Sequence, residues 1–395
     1  MRRTYEETHP WISFKIDLND LDHVAWMLLG EAISKCEHIS GVPLQPGVAR
    51  KLNAVYLTKG VHATTHIEGN TLSEEEVHKR IGQDLKLPPS QEYLGQEVDN
   101  IVEGYNLIIR DVIEGRPLTL TPERIRHFNA IVLKDLPPEE GVTPGEVRSD
   151  SVLVGSVYRG APAGECEHLL ECLCTWLNGL SEVPETLRKP VALLSAILAH
   201  LYLAWIHPFG NGNGRTARLM EFQLLLAAGA PTVAAHVLSD HYNRTRSEYY
   251  RQLAMTSKEP YDIANFIRYG LQGFVDGLRE QIEAIRVQQM AVTWQNFVHE
   301  EFEGSETPAC MRQRRLVLDL PWGVMTPTAA IPELTPRLAR DYADKGARTV
   351  PRDVNALVNR GLVIKGKNRT VMPYTDQLRA FLPVRVDDWT SERQL

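Results

Sequence analysis

Cysteine is scarce in this chain: Cys36, Cys166, Cys172, Cys174 and Cys310 are five among 395 residues. So sparse and odd a set argues against a disulfide framework and for a reducing compartment. Cys172 and Cys174 invite a metal site, but no second CxxC and no histidine pair completes one, so buried helix thiols are expected. An excess of positive charge is lacking too. The net charge is −7, which argues against a broadly basic nucleic-acid binder and leaves room only for a local basic patch. No apolar run follows Arg2 and Arg3, so no secretory signal is expected. The most apolar stretch, 191–206, is too short to span a bilayer and carries Ser195 and His200, which predicts a buried core helix. A cytoplasmic setting, with no membrane partner, is the resulting expectation. Strand signals are also sparse, and no internal repeat or low-complexity segment occurs.

What is present is helical periodicity. Leu94, Val98, Ile101, Tyr105, Ile108 and Val112 recur at spacings of three and four, predicting a long amphipathic helix over 91–114. Helices are likewise expected over 20–36, from 47 into 64–68, from Ser73, from Thr121-Pro122, and over 165–178, 186–206, 212–228, 239–256 and 260–302. Gly69-Asn70 supplies a helix stop, and Ser73 with Glu76 a capping box. Residues 136–164, rich in Pro and Gly, interrupt this pattern. Within them Val147, Val152, Leu153, Val154, Val157 and Tyr158 predict a β-hairpin at 147–158. The composition shifts again at 304–308. Beyond it, helices at 309–318, 334–345 and 350–360 precede β-prone runs at 362–364 and 370–372, joined by Lys365-Gly366-Lys367-Asn368-Arg369. Helices followed by a small basic hairpin predict a winged helix-turn-helix. The expected fold class is mainly α, with parts at 1–115, 116–303 and 304–395.

The densest chemistry lies in His207-Pro208-Phe209-Gly210-Asn211-Gly212-Asn213-Gly214-Arg215-Thr216-Ala217-Arg218. It sits between two predicted helices and runs into the start of the second, where free amides and the helix dipole favour an anion. Glycines at 210, 212 and 214 let the backbone wrap a phosphate. Arg215 and Arg218 add forked, charge-assisted donors, and His207 can take a proton from a hydroxyl. No Lys-Ser/Thr follows the glycines, which excludes a Walker loop. The glycine spacing and the preceding helix disfavour a dinucleotide fold. The parts describe transfer of a phosphorus-containing group to a hydroxyl.

This stretch resembles the Fic-domain motif, H-P-F-x-(D/E)-G-N-G-R-x-x-R, at every position but one. The resemblance implies an all-helical core with a flap and transfer of AMP from ATP to a Ser, Thr or Tyr hydroxyl of a target protein. It makes His207 the base, Gly212, Asn213 and Gly214 the anion cradle, and Arg215 and Arg218 the triphosphate grip. The departure is Asn211, where the family carries an acid that ligates Mg²⁺; an amide is a weaker ligand for so hard a cation. Two readings stay open: AMP transfer with weakened metal binding, or a different phospho-donor or eroded catalysis in a nucleotide-sensing regulator.

Thr64-Thr65-His66-Ile67-Glu68-Gly69-Asn70 resembles the inhibitory motif of Fic proteins, (S/T)-x-x-x-E-(G/N). Glu68 would pair bidentately with Arg218 in the place of a terminal phosphate, and could also position a water for removal of AMP. The hairpin, with Val152, Leu153 and Val154, corresponds to the family's flap and would dock an extended target segment. Tyr242, Asn243 and Tyr250 fall in the stretch near the family's nucleobase pocket. The partners implied are ATP or another nucleotide and a protein hydroxyl, on another protein, on this chain or on a second copy. The tail adds DNA, through Arg352, Asn355, Lys365, Lys367 and Arg369.

Overall fold

The computed structural model describes residues 2–154, 158–180 and 182–379. The chain divides into two compact units, Met1–Glu283 and Ala284–Leu395. The division falls inside one continuous helix, twenty residues before the composition shift at 304.

In the first unit α1 (Thr4–Thr8), α2 (His23–Gly41), α3 (Pro46–Ile67), α4 (Glu74–Ile81), α5 (Glu92–Ile113) and α6 (Pro122–Val132) precede a hairpin of β1 (Leu153–Val154) and β2 (Tyr158–Arg159). Then come α7 (Cys166–Gly179), α8 (Glu185–Ile206), α9 (Asn213–Ala227), α10 (Thr232–Ala235), α11 (Val237–Arg244), α12 (Arg246–Thr256) and the long α13 (Ala264–Glu301), within which the first unit ends at Glu283. Local chemistry sets the starts. Asp22 caps α2 through the Ala25 amide, Ser73 and Glu76 form the full capping box of α4, and Thr121 caps α6 with Pro122 in its first turn. Each such cap contributes about 1 kcal/mol.

Helices α8 and α9 form the central packed pair. By length and composition α8 could cross a membrane, yet Leu194, Ile197, Leu198, Leu201 and Leu203 are buried in the protein. Each buried side chain of this size contributes about 1.5–3 kcal/mol. The expectation of one helix over 239–256 is corrected. Thr245 leaves the helical region at φ −116°, and its hydroxyl bonds the His241 carbonyl at 2.7 Å and Tyr269 Oη at 2.6 Å, dividing α11 from α12. The hairpin pairs Leu153 with Arg159 and Val154 with Tyr158, so ladder structure covers only part of the run expected at 147–158. Gly155 and Val157 lie outside the described residues. Cys172 is half-buried beside His168 rather than fully buried.

The second unit holds α14 (Pro308–Asp319), β3 (Thr326–Pro327), α15 (Pro336–Tyr342), α16 (Thr349–Asn359), β4 (Val363–Lys365) and β5 (Thr370–Pro373). Its antiparallel sheet runs β3-β5-β4. Trp294, Val298, Leu316, Leu357 and Leu362 lie in its core. Buried Asp353 fixes α16 by accepting from Arg312 Nε at 2.7 Å, Gln313 Nε2 at 3.0 Å and Tyr342 Oη at 3.1 Å.

Candidate active site

The loop between α8 and α9 begins where His207 takes a left-handed conformation, φ +49°, while its N–H still bonds the Leu203 carbonyl at 2.9 Å. It ends at Gly212, φ +78°, immediately before α9. A Cβ at Gly212 would stand 3.0 Å from Asn129 Nδ2 and 3.1 Å from Val132, so glycine is required by conformation and by space. Asn129, fully buried on α6, donates to the Asn211 carbonyl at 2.9 Å and accepts from the Gly145 amide at 3.0 Å. Two residues of the stretch also serve its packing. Asn213 spends its side chain on the loop itself, accepting from Phe209 N at 3.0 Å and donating to Phe209 O at 2.7 Å. Gly210 makes room for Val142, 2.8 Å from where its Cβ would be. The amides of Gly214 and Arg215 belong to the first turn of α9, whose N–H groups have no intrahelical acceptor.

Burial pushes the His207 imidazole down to about 4. The Ala204 carbonyl and Glu68 act against that shift, and the Arg148 guanidinium adds to it. At neutral pH the ring is therefore uncharged and able to accept a proton. Arg148, which no motif marks, holds this corner together. Its Nε donates to the His207 carbonyl at 2.7 Å and its Nη2 to the Ala161 carbonyl at 2.5 Å. Its Nη1 reaches the Asp150 carbonyl, and its own amide bonds Pro208 O at 3.0 Å. One buried side chain thus joins the flap's two flanks to the catalytic loop.

The arginines differ in their partners. Arg218, 1% exposed, donates from Nη2 to Glu68 Oε1 at 2.6 Å and to the Thr64 carbonyl at 3.0 Å, and from Nε to Thr64 Oγ1 at 2.6 Å. The pair with Glu68 is therefore single-stranded rather than bidentate, because Thr64 takes the other edge of the fork. Burial raises the Glu68 carboxyl, but Arg218, Arg215 and His207 prevail and hold it below its ordinary value. A Cβ on Gly214 would collide with Glu68 Oε1, so the missing side chain lets this carboxylate rest on the start of α9. Arg215 instead donates to Glu97 Oε1 at 2.7 Å, and Glu97 Oε2 accepts from Asn70 Nδ2 at 2.8 Å. The segment from Thr64 to Asn70 is thereby joined to both arginines. His207 Nδ1, Arg215 Nε and Arg218 Nη1 are all buried without a hydrogen-bond partner of normal geometry, as befits a site that takes a polar ligand.

Residues 119–225 match the Fic/DOC family. This stretch is a Fic domain. The protein adenylyltransferase Fic of Drosophila sechellia is 30% identical over 247 residues, which cover 60% of this chain and 44% of that protein. The protein adenylyltransferase fic-1 of Caenorhabditis briggsae is 28% identical over 209 residues, 53% of this chain and 38% of the relative. The chain thus spans less than half the length of these curated relatives. A Fic family protein from Desulfovibrio desulfuricans G20 shares the fold at a TM-score of 0.56 and 18% identity, over 89% of this chain and 96% of that one.

Other expected site residues of the Fic domain fall less simply. Asn211 turns its Oδ1 inward, accepting from the Gly212 amide at 2.5 Å and from Arg215 Nη2 at 3.4 Å. Its Nδ2 donates to Glu139 Oε1 at 2.6 Å. Its oxygen is thus engaged within the loop, and the adjoining Glu139 carboxylate is the group that would suit Mg²⁺ carried by phosphates. Tyr242 is corrected as a nucleobase contact: it is fully buried, stacks on Tyr249 and bonds Glu221 Oε1 at 2.8 Å. Asn243 and Tyr250 meet the end of α3, through His66 Nδ1 at 2.9 Å and the Ile67 carbonyl at 3.4 Å. On the flap Leu153 is exposed, while Val152 and Val154 are half-buried. In the second unit Arg352, Asn355, Lys365, Lys367 and Arg369 are all exposed, with Lys365 Nζ bonding Asn355 Oδ1 at 2.7 Å.

Proposed function

We propose that the chain is a protein adenylyltransferase that moves AMP from ATP to a Ser, Thr or Tyr hydroxyl, held inactive by its own Glu68. The observation that carries this reading is the Glu68 carboxylate, seated over Gly214 at the start of α9 and bonded to Arg218 at 2.6 Å. An anion from the protein occupies the position where the site would hold a phosphate. With Glu68 displaced, Arg218, Arg215 and the first-turn amides of α9 bind the triphosphate, and neutral His207 removes the proton from the incoming hydroxyl. Asn211 and Glu139 would be the residues to face a divalent cation, which would neutralise phosphate charge when bound. Glu68, whose charge is felt by His207, would also hold a water for the reverse removal of AMP.

Incubation with ATP labelled in the α-phosphate tests the reading. Label on the chain should rise at least tenfold in Glu68→Gly over wild type and vanish when His207→Ala is added. No label in any variant, with nucleotide still bound, would instead favour a nucleotide-sensing regulator.

A second reading concerns the tail. Its elements follow the order of a winged helix, and the exposed side chains of Arg352, Lys365, Lys367 and Arg369 fit the phosphates of a DNA duplex. Duplex affinity should fall steeply between roughly 50 and 200 mM salt, and the Lys365→Ala/Lys367→Ala pair should flatten that slope by about two. Absent or salt-independent binding would sink it.

A further inference from the structure

The motif's metal position is filled by a neutral amide, yet a carboxylate stands one hydrogen bond away. We propose that Glu139 supplies the anionic oxygen that the motif itself lacks, and that Glu139 with Asn211 forms the protein's side of a divalent-cation site. This rests on the reading that the loop binds a nucleoside triphosphate.

Asn211 by itself is poorly disposed toward a cation. Its oxygen already accepts from the Gly212 amide at 2.5 Å and faces the Arg215 guanidinium at 3.4 Å. Its amide nitrogen points the other way and donates to Glu139 Oε1 at 2.6 Å. Glu139 is not a side chain passing by. It follows Pro137-Pro138, whose rings fix the local backbone. Its carbonyl closes a turn with the Val142 amide at 3.2 Å, and Gly141 within that turn takes φ +72°. Val142 packs on Gly210 of the loop, and the Gly141 carbonyl lies 3.5 Å from where a Gly210 Cβ would be. The turn is therefore seated on the loop by two successive residues, beside the carboxylate it presents.

Charge explains the pairing. An acid at 211 would set two carboxylates at hydrogen-bond distance, where both resist ionising. An amide there attracts Glu139 instead. The negative charge has moved from the loop to the neighbouring turn, with Asn211 as the residue that positions it. No group of three or more acidic, histidine or cysteine ligands occurs among the described residues. A cation held here would come with the nucleotide, whose phosphates and water would supply the remaining ligands beside one or two protein carboxylates.

The test is calorimetric titration of the full chain carrying Glu68→Gly with a non-hydrolysable ATP analogue, in EDTA and in Mg²⁺. Mg²⁺ should tighten binding by at least about tenfold, and Glu139→Gln should remove that gain without weakening binding in EDTA, where a carboxylate can only repel the nucleotide. Adding Asn211→Asp to Glu139→Gln should return the gain, since the carboxylate is back on the loop. Bound Mn²⁺ followed by its electron paramagnetic resonance should report the same order without any turnover. If Glu139→Gln keeps the full Mg²⁺ gain, the proposal is wrong and the nucleotide reading stands. If the Glu68→Gly chain binds no analogue in either buffer, the nucleotide reading falls and the proposal with it.

Discussion

The loop from His207 to Arg218 is fixed by side chains reaching in from α3, α5 and α6 and from Arg148. The flap beside it carries two ladder pairs, is tied to the body at its second strand by Tyr158 Oη on the Trp205 carbonyl and His9 on the Arg159 carbonyl, and leaves Leu153 on its first strand 57% exposed. The contrast separates two tasks. A base and phosphate donors work only when their geometry is set beforehand, so the loop is tied from every side. On the proposed reading a docking edge must accept a segment of another chain, and Leu153 keeps apolar surface exposed for it. Arg148 bonds both the loop and the flap's two flanks.

The largest expected effect is on the rigid side. His207→Ala in the Glu68→Gly background should lower transfer by about 10²–10⁴-fold. Burial lowers the imidazole to about 4, so the ring is neutral above that pH and charged below it. kcat/KM for ATP should therefore stay level from about pH 8 down to 5 and fall only through the region near 4. Glu68 raises this pKa, so Glu68→Gly can only move the inflection lower. An inflection near the ordinary histidine value would show that the ring is more open to water than its burial implies.

The next effect tests the joint. Arg148→Met strips donors from the carbonyls of His207, Asp150 and Ala161. Leaving buried acceptors unpaired should cost about 3 kcal/mol, lowering the thermal midpoint by roughly 6–10 °C. It also removes a cation that lowers the His207 pKa, so the pH inflection should rise. Arg148→Lys keeps the charge but loses the fork: the stability loss should persist while the inflection stays low. Equal behaviour of the two variants would remove Arg148 from the electrostatics of the site.

This same residue marks the limit of what the sequence made legible. The loop, the capped helix starts and the Gly69-Asn70 stop were readable because each is a contiguous pattern whose physics is local. Arg148 bonds a carbonyl 59 positions away, and Glu97 bonds an arginine 118 positions away. Nothing in the spacing of either residue announces a distant partner. A conspicuous residue misleads for the same reason. Asn213 and Gly210 belong to the motif and serve the loop's own packing, and Tyr242 is aromatic and near the site yet faces the core. Chain position says which residue types are available at a site; the direction a side chain faces is settled by tertiary packing.

The smallest effect on stability, and the sharpest on the open side, belongs to Leu153→Asp. The side chain is 57% exposed, so the folded state should change by no more than about 0.5 kcal/mol. ATP affinity should be unaffected, because none of the loop's bonds involves this residue. A peptide segment laid along the flap edge would meet a charge in place of an apolar contact. Transfer from the Glu68→Gly/Leu153→Asp chain onto a separate His207→Ala chain as acceptor should therefore slow by about tenfold, the cost of roughly 1.4 kcal/mol of lost contact and added desolvation. The acceptor's own hydroxyls are unchanged in that pairing, so a slower rate locates the defect on the flap of the donor. Equal rates with and without the substitution would mean that the acceptor is held elsewhere, and that the exposed edge and the fixed loop do not share the work as proposed.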